Sequence, residues 1–426
     1  MKEFNKVFGY KNEKIELERI ADMMLNPDKY QKLGVKTTRG LLLTGEPGVG
    51  KTLMANCLIK ASKRKAFTIR KNIPDGDFVK ALKNTFDNAI SKAPSIVFLD
   101  DIDKFSNEDR ANTEEFVTIQ SCIDDIKDKE VFVLATANDT DCLPRSLLRA
   151  GRFDKKIHLE CPKGKDAEDI VRHYLSKKKV VKDVNYKEIT KLLDGSSCAL
   201  LETIINEAGV YAGFENKDAI GMDEIIRAFT RLRCCGPESL DIQDSSYLRS
   251  VAVHEAGHIL VSELLQAESV NFASVKHHKG KADGFVSFSQ GEDYFHNIKL
   301  MENRVMSLLG GKAATEVVYG TTDVGASNDI NRTFNIVERF INDYCTYGFN
   351  YYEVCTRSRD ESDALLDRKI SLIQNEVERY YQQAKKIIID NREYLDKLTD
   401  SLVEKKTLLF GDIQNIKKGC KISLAS

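Results

Sequence analysis

Three side chains in one short stretch could do chemistry together. Val253-His254-Glu255-Ala256-Gly257-His258-Ile259 reads H-E-x-x-H. On a helix, His254 and His258 share one face, so both imidazoles can grip one metal ion. Glu255 lies about 100° round the helix from His254, near such an ion without ligating it. It is placed there to take a proton from water, which is the chemistry of a zinc peptidase. Catalytic zinc takes a third protein ligand as well as water. Glu316, Asp323 and Asp329 are candidates, and spacing alone does not choose among them. Two imidazoles and a carboxylate suit zinc. His277 and His278 sit in a polar turn between Lys276 and Lys279 and read as surface residues.

A second constellation lies upstream. Gly45-Glu46-Pro47-Gly48-Val49-Gly50-Lys51-Thr52 fits G-x-x-x-x-G-K-[ST], and Leu53 continues the helix that opens behind it. Glycines let this backbone curl so that its N–H groups face phosphate oxygens. Lys51 supplies a point charge to the β/γ-phosphates, and Thr52 offers a hydroxyl to Mg²⁺. Ser95-Ile96-Val97-Phe98-Leu99 runs into Asp100-Asp101. An acid at that strand end faces the phosphate site, where Asp100 can hold Mg²⁺ through water. Asn138 ends another apolar run, Val131 to Ala137, at the same edge and can orient an attacking water. Arg149 and Arg152 bracket a short turn before a last strand. Arginines on such a rim can reach a neighbouring subunit's γ-phosphate.

The elements needed to position these groups are legible. Gly40–Thr44, Ala66–Ile69, Ser95–Leu99, Val131–Ala137 and Lys156–Leu159 are short apolar runs of the kind buried in a parallel sheet, with a helix over about 78–92 between two of them. From about 166 to 232 the spacing turns helical, and Gly236-Pro237 marks a linker. Ser245-Ser246 can cap a helix with H-E-x-x-H in its middle. Short β-like pieces follow at Ser274–Lys276 and Gly284–Phe288. Helices are expected over about 298–318, from Ile330, and from 363 to about 406 with a break near Asp390-Asn391.

Composition narrows the class. The 426 residues are enough for roughly two or three domains. With 42% hydrophobic and 30% charged residues the chain is globular. A net charge of −1 gives no electrostatic case for nucleic acid. No apolar run approaches about 18 residues, so no membrane span is expected. The 10 cysteines include no C-x-x-C pair, which points to free thiols and a cytoplasmic protein.

Taken in order, these motifs resemble the FtsH family of ATP-dependent AAA+ zinc metalloproteases over nearly the whole chain. The resemblance begins at Phe4-Asn5-Lys6-Val7-Phe8-Gly9, similar to the family's F-x-D-V-x-G. It takes in the phosphate loop, Ala137-Asn138, Arg149-Ala150-Gly151-Arg152-Phe153-Asp154, H-E-x-x-H, Gly310-Gly311 and Gly325-Ala326-Ser327-Asn328-Asp329. It implies an α/β AAA+ P-loop nucleotide-binding domain over 1–165, a small helical lid over 166–236 and a mostly α-helical zinc metallopeptidase domain over 237–426. Zn²⁺, ATP and Mg²⁺ are the implied cofactors. Asp329 becomes the third zinc ligand, Glu255 the general base, and Arg149 and Arg152 arginine fingers of a homo-oligomeric ring, a hexamer. Protein substrates follow.

The departures from the family gather on the ATPase side. The family has N-terminal transmembrane helices, whereas this chain opens at the ATPase, and a soluble form is expected. Where the family has Asp-Glu, this chain has Asp100-Asp101. Asp101 is one methylene shorter, so its carboxylate falls back by roughly 1.5 Å. A misplacement of that size can slow a reaction on the order of a hundredfold. Between Ile69 and Phe86 no aromatic-hydrophobic-Gly pore triplet occurs, and Phe78-Val79 is the nearest match. The family's D-G-F is missing near Asp124 to Lys129, and Thr315 replaces the first of two glutamates. The expectation is an ATP-dependent or ATP-gated zinc endopeptidase with an attenuated motor, acting on unfolded or loosely folded proteins. The alternatives are a non-proteolytic nucleotide-gated remodelling or regulatory ring with structural zinc, and a peptidase whose ATP only assembles the hexamer.

Overall fold

The apolar runs form one parallel sheet of five strands in the computed structural model. They are β1 (Gly40–Gly45), β2 (Lys65–Ile69), β3 (Ser95–Leu99), β4 (Val131–Ala137) and β5 (Lys155–Leu159), in the order β2-β3-β4-β1-β5. Every residue of β1, β3 and β4 is buried, whereas β2 and β5 at the margins are partly exposed. Helices cover both faces of the central strands, which is why those strands read as unbroken apolar runs. Parallel pairing brings the C-terminal ends of β1, β3 and β4 to one edge, so the phosphate loop, Asp100 and Asn138 emerge together. The register Ile69↔Leu99 also sets Arg70 beside Asp100.

The structure describes all residues except 36–37, 72–74, 106–112, 150, 183, 235–244, 278–283, 290–296, 322–323, 345, 347–362 and 424–426. They fall into two compact units, Met1–Lys182 with Gly195–Ile220, and Asp183–Asp194 with Gly221–Ser426. The helices expected over 166–236 are shared between them: Gly164–Ser176 and Cys198–Phe214 lie in the first, Tyr186–Leu192 and Met222–Cys234 in the second. The Gly236-Pro237 linker lies outside the described residues.

In the first unit, the helix after β2 is Asp75–Ser91. Phe78, Leu82 and Phe86 repeat along it and are buried with Val97 and Leu99 of β3. Phe78 and Val79 are therefore core residues, at 0% and 6% exposure, and offer no aromatic grip to a substrate.

The second unit is mostly helical. Its long helices are Ser245–Leu265, Ile298–Tyr319, Ser327–Asn342, Asp363–Asp390 and Arg392–Lys405. The first opens at Ser245 among the described residues. A small antiparallel sheet, β7-β6-β8, accompanies them: β6 (Val270–Ser274), β7 (Phe285–Phe288) and β8 (Thr407–Leu409). The first of these strands lies upstream of the expected Ser274–Lys276. Val270 and Phe272 are wholly buried there, and the N–H of Lys276 already turns back to the Ser274 hydroxyl at 3.2 Å.

The helices Ser245–Leu265 and Ile298–Tyr319 cross at two glycines. A Cβ on Gly257 would stand 2.3 Å from the Gly310 carbonyl oxygen, and one on Gly310 would stand 2.6 Å from the Gly257 oxygen. Only glycine at both positions lets the backbones approach this closely. Among the described residues no helix is long and apolar enough to cross a membrane.

Candidate nucleotide and metal sites

The glycine crossing fixes the metal candidate. It brings the faces of His254 and His258 over Gly311, where an added Cβ would lie 2.6 Å from each Nε2. The Nδ1–H of His258 donates to the Ser307 carbonyl at 2.7 Å, which leaves its Nε2 lone pair free. The two Nε2 atoms lie 3.0 Å apart. Asp329, in the first turn of Ser327–Asn342, places Oδ2 3.6 Å from His254 Nε2 and 3.3 Å from His258 Nε2. A point equidistant from atoms so spaced lies about 2 Å from each, the reach of Zn–N and Zn–O bonds. Two imidazole nitrogens and a carboxylate oxygen converging over a glycine fit zinc, and His254 Nδ1 is a buried polar atom with no partner among the described residues.

Electrostatics follow from that convergence. Burial pushes His258 down, but Asp329 and Glu255 outweigh it and hold the imidazole above its ordinary value. Burial would raise Asp329, yet the two histidines hold its carboxyl well below the usual range. Glu255 is buried, which pushes its carboxyl up against the pull of His258 and His254. Gly284 passes directly over it, since a Cβ there would lie 2.7 Å from Glu255 Oε1.

The other two carboxylates weighed from spacing separate from this group. Glu316 turns away, accepting from the Tyr381 hydroxyl and from Lys385 Nζ at 2.8 Å, both on Asp363–Asp390. Asp323 lies outside the described residues, as does His278.

At the sheet edge, the loop from Gly45 to Thr52 curls through glycines with positive φ, +84° at Gly48 and +103° at Gly50. Residues 47–53, Leu53 included, line a cavity of about 750 Å³ together with Val7, Tyr10, Ile170 and His173. Lys51 Nζ donates to the carbonyls of Gly45 (2.7 Å) and Glu46 (2.8 Å) and to Asn138 Oδ1 (2.8 Å). Burial pulls its ammonium below the ordinary value, against the carboxylates of Asp101 and Asp103. Asn138 in turn donates to Asp103 at 3.1 Å.

Asp100 is buried and fully engaged. Its Oδ1 accepts from the hydroxyls of Thr136 (2.7 Å) and Thr52 (3.2 Å), and its Oδ2 from Arg70 Nε (2.6 Å) and Nη2. The Thr136 hydroxyl also accepts the Asp101 N–H at 2.8 Å. Asp101 itself adopts a left-handed φ of 56° and pairs with Lys104 at 2.9 Å. The Lys51 ammonium, the Thr52 hydroxyl and the Asp100 carboxylate beside a glycine loop are the groups that Mg·ATP needs.

The two arginines part company. Arg152 is tied down within its own unit by Asp124 (2.8 Å), Gln120 (3.0 Å) and the Ser146 carbonyl (2.7 Å). Arg149 is exposed on the turn.

Arg70, Thr136, Ser307 and Gly284 were not singled out from the sequence. The first carries no local sequence signal, because its place beside Asp100 is set by the register of β2 against β3.

Known proteins resemble this chain along most of its length. Residues 41–161 match the ATPase family associated with various cellular activities (AAA), and residues 242–416 match peptidase family M41. The chain is 31% identical to ATP-dependent zinc metalloprotease FtsH of Caldicellulosiruptor bescii, over 95% of this chain and 70% of that protein. It is 32% identical to ATP-dependent zinc metalloprotease FTSH 5, chloroplastic, of Arabidopsis thaliana, over 95% of this chain and 62% of the relative. With ATP-dependent zinc metalloprotease FtsH 2 of Phytoplasma mali it shares 29% identity over 97% of its own length and 62% of the relative's.

Proposed function

Since the chain belongs to the FtsH family of ATP-dependent zinc metalloproteases, we propose that it is an ATP-driven zinc endopeptidase that cuts unfolded or loosely folded proteins. The observation that carries this reading is the convergence of His254 Nε2, His258 Nε2 and Asp329 Oδ2 beside a buried Glu255. Those three atoms would hold zinc. When bound, zinc supplies a Lewis acid for the scissile carbonyl and for water. Glu255 accepts a proton from the attacking water and hands it to the departing amine. The Ser307 carbonyl keeps His258 in the tautomer that presents Nε2.

In the ATPase unit, Lys51 would hold the β/γ-phosphates, and Thr52 and Asp100 would hold Mg²⁺. Hydrolysis of Mg·ATP supplies the free energy for working on substrate. Asn138 orients the attacking water and Asp101 serves as its base. Arg149 would act on the γ-phosphate bound by a neighbouring subunit in a homohexamer, and Arg152 would brace the turn that carries it. The motor is slow because Asp101 is short and tethered to Lys104. Substrate grip is weak because Phe78 and Val79 lie in the core. The free cysteines fit work in the cytoplasm.

Casein digestion tests the peptidase chemistry. Zinc-loaded wild type should release peptides in the presence of ATP, and Glu255→Gln should release none while keeping its zinc. Equal cleavage by the two proteins would overturn the assignment of Glu255.

A further inference from the structure

We propose that Arg70 is a built-in competitor of Mg²⁺ for Asp100, and so sets how much Mg²⁺ the nucleotide site needs. This rests on reading that site as one for Mg·ATP. Arg70 immediately follows β2, and the Ile69↔Leu99 register lays it alongside Asp100, which immediately follows β3. Both Nε and Nη2 of the guanidinium point at a single oxygen, Oδ2. The other oxygen, Oδ1, is occupied by the Thr136 and Thr52 hydroxyls. No lone pair on the carboxylate is left over for the hydration shell of a divalent cation.

The charges make the same point. The Asp100 side chain is 2% exposed, whereas that of Arg70 is 59% exposed. The carboxylate is fixed in the sheet edge, and the arginine leans over it from solvent on a flexible stem. A Mg²⁺ ion served by Asp100 would meet a full positive charge on the same oxygen. Entry of the ion must therefore turn Arg70 outward, where water can solvate it at little cost. A guanidinium donates through two nitrogens at once, so the pair is stronger than a single lysine contact. Arg70 acts through Asp100 and is a positioning residue.

Binding of a fluorescent ADP to the full chain, titrated with Mg²⁺, reads this directly. The Mg²⁺ concentration for half-maximal tightening should fall about three- to tenfold in Arg70→Ser, a range set by a charge-assisted contact discounted for solvent exposure. Arg70→Lys should lie between wild type and the serine variant. In EDTA the three proteins should bind ADP alike. Arg70→Gln, which keeps most of the aliphatic stem, gives the same reading should the serine variant aggregate. An unchanged Mg²⁺ dependence in Arg70→Ser or Arg70→Gln would overturn the proposal. So would weaker ADP binding in EDTA, which would make Arg70 a nucleotide ligand. Lys51→Ala separates the underlying reading: if it bound ADP as wild type does, the nucleotide site itself would be misassigned, whatever Arg70 does.

Discussion

Two residues at the sites carry sharp consequences. Gly311 is the floor of the metal candidate, with each Nε2 2.6 Å from where its Cβ would be. Gly311→Ala should lower bound zinc, measured by metal analysis after dialysis, from about one per chain to well under half, because the methyl group meets the ligand atoms at sub-van-der-Waals distance. Full zinc content would show that the ligands converge elsewhere. Asp101 is the second. Asp101→Glu restores the reach of one methylene and should raise the rate of phosphate release about tenfold or more, whereas an unchanged rate would remove Asp101 as the cause of a slow motor. The metal-site ligands differ in how far the sequence alone shows them. His254 and His258 are bound to one face by helical periodicity, so their pairing needs no tertiary knowledge. The choice between Glu316 and Asp329 does need it. Glu316 is claimed by Tyr381 and Lys385, which lie on a helix far along the chain.

Elements are held where their backbones can touch. The glycine crossing of Ser245–Leu265 and Ile298–Tyr319 leaves no room for one methyl group. Gly257→Ala should force the helices apart and destabilise the peptidase unit by about 2–4 kcal/mol, read as an earlier thermal transition together with loss of zinc. A transition at the wild-type temperature would mean that the crossing can open freely. Strands β1, β3 and β4 were legible because burial on both faces leaves an unbroken apolar run. Strand β8 was not, since Thr407-Leu408-Leu409 is too short to show alternation and exists only by pairing with Phe272 and its neighbours. The Arg70–Asp100 pair was hidden for a related reason. It depends on the lateral register of two strands, which no local pattern encodes.

At the scale of the whole molecule, two chemistries occupy two units of one chain. The proposed peptidase constellation has three converging side-chain atoms that could hold a metal ion, and the buried carboxyl of Glu255. The ATPase constellation keeps its phosphate loop and its Asp100 but carries a short Asp101 and an Arg70 leaning on the acid proposed for Mg²⁺. The order of motifs along the chain makes this pairing legible, as it does the short Asp101, whereas the contact of Arg70 with Asp100 is seen only in the folded chain. On the proposed reading, a peptidase fed by a weak motor should still depend on ATP turnover, only slowly. The direct test is the rate of casein cleavage by the zinc-loaded full chain with Mg·ATP, with a non-hydrolysable analogue, and without nucleotide. Cleavage should be slow but clear with Mg·ATP and at least about tenfold slower in the other two conditions. Equal cleavage in all three, or none in any despite bound zinc and nucleotide, would contradict the account.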